Sequence, residues 1–198
     1  MVMAKSAAKP SARERLLGAA DELFYREGVR TVGIDRIIEQ AGVAKASLYN
    51  TFGSKEELIR AYLEGRHASV ATRIMKHIER YDTPRERILG VFEAQGQNFG
   101  DSRYRGCAFI AASAEARPGD LVEQAADAFR GWLRALFTEL AEQAGVPEPA
   151  TLARRLHLLY DGAGVSAKMD RDPDAAVASR STAEILLDAA LTSADAED

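Results

Sequence analysis

The sequence predicts an all-α protein with a small N-terminal head and a larger C-terminal body. Three observations predict it. Apolar residues recur at helical spacing in about nine successive stretches. Glycine, proline and small polar residues fall between those stretches, where helices start and stop. No stretch of any length alternates polar and apolar residues as a strand does, and there is no internal repeat.

Residues 1–10 read as a disordered basic arm. Helix 1 starts at Ser11, which forms a capping box with Glu14. Leu16, Ala20, Leu23 and Phe24 are its inward stripe, and Gly28 ends it. Helix 2 carries Ile34, Ile37, Ile38 and Ala41 on one face, with Asp35 in the first turn and Gly42 at the stop. Val43 plugs the turn. Helix 3 runs from about Ala44, with Leu48 and Phe52 facing inward. Helix 4 opens on a second capping box, Ser54 with Glu57. It runs through Leu58, Tyr62, Leu63, Val70, Ile74, Met75 and Ile78 to about Tyr81, with Gly65 a weak point. His67 and His77 read as solvated residues on it.

Thr83 and Pro84 start helix 5, whose apolar residues are Ile88, Leu89, Phe92 and Phe99. Residues 100–106 are a loop. The nearly uncharged stretch 107–116 reads as a short helix buried on most sides. Asp120 caps helix 7, which runs to about Ala144 with Val122, Ala126, Phe129, Leu133, Phe137 and Leu140 inward. Helix 8 spans about 150–168 and helix 9 runs from Asp172-Pro173 to about Leu191. An acidic frayed tail follows, 193–198.

Composition excludes several classes. The chain has 198 residues, 46% of them apolar and 28% charged, as in soluble globular proteins. No apolar run approaches the roughly 18–20 residues of a membrane span, and MVMAKSAAKP lacks the apolar centre of a secretory signal. The single cysteine, Cys107, excludes an internal disulfide and fits a reducing compartment, so the cytoplasm is expected. The three histidines, His67, His77 and His157, make no pair with metal-ligand spacing, and there is no phosphate-cradling glycine loop. Cys107 has no neighbour that would activate it and reads as a small core hydrophobe, or else as a redox or electrophile sensor. No enzyme, metal or cofactor is expected.

Charge is divided unevenly. Residues 1–55 hold nine Lys and Arg against six Asp and Glu, a net of +3, which leaves −7 for the rest of a chain whose total is −4. That asymmetry suits a protein of which one end meets phosphate. Alone it would decide nothing. It falls, however, on the segment with the most distinctive pattern, Gly33–Lys55. There the first turn of helix 3, Ala44, Lys45, Ala46 and Ser47, is small and basic and is not needed for a core. Such a helix can enter a major groove without a clash.

The stretch AGVAKASLYNTFGSKEEL resembles the recognition-helix signature of the TetR family of transcriptional regulators. Phe24, Gly28, Ile34 and Ile37 agree with that family's core positions, and the match covers about Ser11 to Leu63. Many members carry hydroxyl residues at the positions of Val32, Gly33 and Ala44, and glycine at that of Ala46. The resemblance implies a helix-turn-helix DNA-binding domain, residues 11–55, linked by helix 4 to an effector-binding and dimerisation domain, residues 56–192. It implies a homodimer on a palindromic operator, a repressor by the family's usual role, with a lysine at Lys55 touching phosphate.

On these grounds Gly33, Ala44, Lys45, Ala46, Ser47, Tyr49, Asn50 and Lys55 are the expected DNA-facing residues, although Tyr49 also suits packing around helix 1. Gly33 would let backbone N–H groups reach a phosphate. Met75, Phe92, Gln95, Phe99, Phe109, Trp132 and Tyr160 are expected around a small, apolar or aromatic effector, or else are ordinary core. The small residues of helices 8 and 9 suit close helix approach. A dimer interface is therefore expected at Leu152, Leu156, Leu159, Ala163, Leu186, Leu187 and Ala190, unless those helices close the monomer's own core. The rival to the whole reading is a helical ligand-binding or protein-interaction protein with a vestigial DNA-binding domain.

Overall fold

A computed structural model describes residues 10–195. Among them are nine helices and no strand: α1 (Ala12–Glu27), α2 (Ile34–Ala41), α3 (Lys45–Phe52), α4 (Lys55–Ile78), α5 (Pro84–Gly96), α6 (Ala108–Glu115), α7 (Leu121–Gln143), α8 (Pro149–Met169) and α9 (Ala175–Asp195). Most of the expected arm (residues 1–9) and the end of the expected tail (196–198) lie outside the described residues.

Helix starts follow local chemistry. Glu14 N donates to Ser11 Oγ at 3.2 Å and Ser11 N donates to the Glu14 carboxylate at 2.7 Å, so the first capping box is formed. Thr83 and Glu86 make another, ahead of Pro84. At α4 only half the expected box exists. Glu57 N donates to Ser54 Oγ at 3.1 Å, but the Glu57 carboxylate accepts from Arg60 at 2.8 Å. A charge-assisted bond wins over a second backbone bond. Asp120 accepts from Val122 N and Glu123 N at the start of α7. The starts of α2 and α3, at Gly33 and Ala44, have no side-chain cap.

Two helix ends need glycine. Gly42 closes α2 in the left-handed region, φ +60°, which a β-carbon penalises. Gly28 closes α1 at φ +93°, and an added β-carbon would lie 2.6 Å from Glu115 Oε1 of α6. Gly28 thus both turns the chain and leaves room for a distant helix.

Some boundaries differ from expectation. α4 stops at Ile78, short of Tyr81, and passes through Gly65 unbroken. α5 ends at Gly96, which leaves Phe99 in the next turn. α9 continues to Asp195, into the expected tail. α6 is half exposed rather than buried on most sides: Phe109 and Ala112 are buried, while Ile110, Ala111 and Ser113 face outward. It lies on the surface against α4 and α7, so its low charge does not report full burial.

The histidines also differ. His77 is buried, with Nε2 3.2 Å from Glu93 Oε2 and Nδ1 2.8 Å from Gln97 Nε2. His67 packs on Phe129 and Trp132, ring centroids 5.6 and 5.3 Å away. Their partners come from α5, the turn after it and α7, which a helix-face argument on α4 alone does not contain.

One cluster of buried side chains runs through the protein, from Leu16, Ile37 and Leu48 in the head to Phe92, Leu133, Phe137, Leu156 and Leu187 in the body. α4 makes it continuous, because it touches α1 and α3 as well as α5, α6 and α7. Its 24 residues span roughly 36 Å. Burying each large apolar side chain contributes about 1.5–3 kcal/mol. α5 comes close to the end of α4 at Gly90, where an added β-carbon would sit 2.7 Å from the Tyr81 ring and 3.3 Å from Ile78.

Two glycine-to-alanine substitutions should therefore act with opposite sign. Gly90→Ala should destabilise by about 1–3 kcal/mol through overpacking. Gly18→Ala, within α1 with nothing near its added carbon, should stabilise by about 0.5–1 kcal/mol through helix propensity. Denaturant unfolding of both variants measures this.

Candidate nucleic-acid interface and cavity

α3 is held from one side. Leu48 is fully buried, and Val43 and Phe52 pack on the same cluster. That leaves the other side open: Ala44, Lys45, Ala46, Tyr49 and Asn50 are exposed and Ser47 is half-buried. Tyr49 keeps 45% of its surface in solvent, so packing on helix 1 does not account for it. Lys45 Nζ lies 2.9 Å from Asp35 Oδ1, and this hydrogen bond raises the lysine pKa. Both partners are exposed, so the pair adds little stability.

Lys55 is half-buried and donates to the Arg30 carbonyl at 3.3 Å; burial lowers its pKa. Its tie to the α1–α2 loop is a contact that spacing alone did not reveal. Gly33 is exposed, with φ −78°, and an added β-carbon would meet nothing within 4 Å. Nothing inside the fold demands glycine there. With neither Gly33 nor Ala44 offering a side-chain acceptor, the helix starts of α2 and α3 keep backbone N–H donors that suit an anion.

Apart from this surface is a cavity of about 510 Å³, bounded by α1, α4, α5, α6, α7, α8 and the 97–107 segment. Four of the seven expected residues line it: Gln95, Phe99, Phe109 and Tyr160. Phe92 does not. It is fully buried core, 5.7 Å from the Phe137 ring and 6.3 Å from the Tyr160 ring. Met75 does not, being 40% exposed on the outside of α4. Trp132 does not, because it packs beside His67 and Phe129. Helical periodicity marks inward side chains, but it cannot separate one that fills the core from one that borders a void.

The lining also differs in character from the apolar one expected. Val70, Phe99, Phe109 and Phe129 are joined by five arginines, Arg26, Arg66, Arg73, Arg103 and Arg105. Cys107, at the start of α6, lines the cavity as well. Burial pushes its thiol pKa up, the opposite of what an activated thiolate needs.

α1 belongs to this wall. Tyr25 Oη donates to the Gly106 carbonyl at 3.0 Å and accepts from Arg105 N at 3.0 Å. The Arg66 guanidinium lies 3.9 Å from the Tyr25 ring centre and reaches Asp21 at 2.9 Å. Nearby, Arg30 N donates to Glu115 Oε2 at 2.7 Å. Head and body are thus tied at the cavity as well as through α4.

The residues expected at a dimer interface lie largely inside. Leu152, Leu156, Ala163 and Leu187 are 0–5% exposed within one protomer. Leu159, Leu186 and Ala190 are half-buried against the same core. These inner faces close the protomer's own core, the alternative raised above. The outer faces of α8 and α9 carry other apolar residues: Leu158, Val165 and Met169, then Val177 and Ile185, each 39–74% exposed. No helix among the described residues is long and apolar enough to cross a membrane.

Comparison with known proteins bears on both surfaces. Residues 16–62 match the family model described as bacterial regulatory proteins, tetR family. The structure is similar to that of a TetR-family transcriptional regulator from Streptomyces coelicolor, with 32% identity, 90% of this chain and 95% of that one covered, and a TM-score of 0.85. It is similar to that of a TetR-type regulator from Streptomyces avermitilis, with 37% identity, coverages of 91% and 98%, and a TM-score of 0.81. The HTH-type transcriptional repressor NemR of Escherichia coli is 29% identical over 80% of this chain and 85% of its own. Alignments to some other curated helix-turn-helix regulators span only 39% of either chain.

The Tyr25 contact can be weighed directly. Tyr25→Phe leaves the Arg105 N–H and the Gly106 carbonyl without this partner and should lower stability by about 1–2 kcal/mol. Thermal unfolding checks it; an unchanged midpoint would mean that water replaces the hydroxyl without loss.

Proposed function

The chain belongs to the TetR family of transcriptional regulators, and from that premise we propose that it is a homodimeric repressor that holds a palindromic operator until a small molecule in the cavity releases it. Regulators of this family bind DNA, respond in general to ligands and are typically dimeric; they are not enzymes. The observation that carries the reading is the face of α3, small and basic on the outside and anchored by Leu48 on the inside.

Each recognition helix enters one major groove, with half-site centres about 34–36 Å apart or more. Lys45 and Ser47 meet bases or phosphates, and Tyr49 and Asn50 lie at the groove edge. Lys55 and the N–H groups behind Gly33 take phosphate. Two protomers pair through the outer faces of α8 and α9, with Leu158, Val165, Met169, Val177 and Ile185 as the apolar surface. The result is a four-helix bundle of two helices from each copy. Its place of action is the cytoplasm, where the DNA is.

Release follows from the shared wall. A ligand that shifts Tyr25 or the 97–107 segment moves α1, and α3 with it, relative to the partner's copy. It need only bind the released conformation more tightly than the bound one. The repressor sign is taken from the related Escherichia coli protein, a transcriptional repressor. The rival reading, a vestigial head, is not favoured: the outer face of α3 stays open and keeps its lysine.

Gel-shift or footprinting against the DNA flanking its own coding region tests the proposal. Lys45→Ala and Lys55→Ala should each weaken binding to all sequences and lower the salt slope by about one unit. Affinity and slope unchanged in both would sink the assignment.

The dimer has its own test. Met169→Asp with Ile185→Asp, both exposed, should shift sedimentation to the monomer, abolish operator binding and leave helix content intact. A wild-type monomer in solution would overturn this part.

A further inference from the structure

The charges around the cavity do not balance. Five arginines face three carboxylates, Asp21, Glu22 and Asp101. Each carboxylate is already engaged: Asp21 with Arg66 at 2.9 Å, Glu22 with Arg26 at 3.4 Å and Asp101 with Arg103 at 2.9 Å. Arg105 donates to the carbonyls of Ser102 and Tyr104, at 2.8 and 3.0 Å, and its charge also acts on Asp101, whose pKa it helps to lower. Arg73, projecting from α4, has neither a carboxylate nor a hydrogen-bond acceptor among the described residues, and its Nε is buried. Arg73 is half-buried, and a guanidinium whose Nε is shut from water with no acid opposite it is incompletely satisfied; the anion that completes it need not belong to the protein.

The groups near Arg73 can complete a recognition site. Its charge reaches the Tyr104 and Tyr160 hydroxyls. Tyr104 Oη is committed to the Gly164 carbonyl at 3.2 Å, but Tyr160 Oη has no partner among the described residues and can donate. Gln95 Nε2 donates to the Tyr160 carbonyl at 2.8 Å, which leaves Gln95 Oε1 a buried acceptor without a donor. The rest of the wall is apolar: Phe109 and Phe129 stack at 4.0 Å with 6° between ring planes, beside Val70 and Phe99. Such a lining offers a flat apolar surface, one forked cation, one hydroxyl donor and one acceptor.

We propose that the cavity takes an organic acid, a carboxylate on an aromatic or similarly apolar body, with the carboxylate on Arg73 and Tyr160 Oη. A hydroxyl on that body satisfies Gln95 Oε1. Guanidinium and carboxylate match in geometry, so two parallel N–H···O bonds are available to Arg73. The proposal rests on the effector reading above, and it replaces a purely apolar ligand with an anionic one. Arg73 is toward the body end of α4, and the same cavity wall includes Asp21, Glu22, Tyr25 and Arg26 of α1.

The test uses the full chain and three acids, benzoate, 4-hydroxyphenylacetate and 6-hydroxy-2-naphthoate, each beside its uncharged primary amide. Calorimetry and thermal shift report binding. At least one acid should bind tenfold or more tightly than its amide. Arg73→Met should erase that preference by weakening the acid alone, and Arg73→Lys should keep part of it. Circular dichroism shows whether each variant is folded. An amide that binds as well as its acid, an Arg73→Met protein with unchanged acid affinity, or no binding by any of the acids overturns the proposal. Gel shifts on the same samples keep the two readings apart: DNA binding without acid binding defeats only the ligand class, and acid binding without DNA binding defeats only the repressor.

Discussion

The structure depends on α4 being one unbroken helix that is buried at both ends. Leu58, Tyr62 and Leu63 sit in the core near its start, and Ile74 and Ile78 near its finish. Phe24 of α1 packs on Tyr62, ring centroids 5.5 Å apart. Interiors packed at crystal-like density resist gradual deformation. The body end of α4 is therefore held in a fixed relation to α1 and α3.

A single rod would make a poor relay if the head could pivot on it. The contacts at the cavity restrict that freedom. Gly28 leaves space for Glu115, Glu115 accepts from Arg30 N, and Tyr25 bonds to both Gly106 and Arg105. These are few polar contacts on the rim of a void, not a broad apolar seam. Contacts of that kind are modest in energy.

Electrostatics follow the same division of labour. The exposed lysine of α3 is balanced by Asp35 only loosely, in water, so a phosphate can replace the carboxylate at little cost. Around the cavity, arginines stand beside carboxylates until Arg73 is left without one among the described residues. The chain's net negative charge says nothing of either arrangement, since what matters is which charges stand together.

The sequence by itself determined the helices and the open tip. Caps such as Ser11 with Glu14 and Thr83 ahead of Pro84, the glycine stop at Gly42, and helical spacing of apolar residues are local features. Local chemistry suffices to form them. The small outward residues 44–47 were legible for the same reason, because a helix with one buried leucine must show its other side. Tertiary structure alone decided which inward residues border a void and which helix faces stay uncovered. Phe92 and Gln95 lie three apart on α5, yet one fills the core and the other lines the cavity. Those outcomes depend on how far neighbouring helices stand from one another, and that distance is set by side chains remote in the chain.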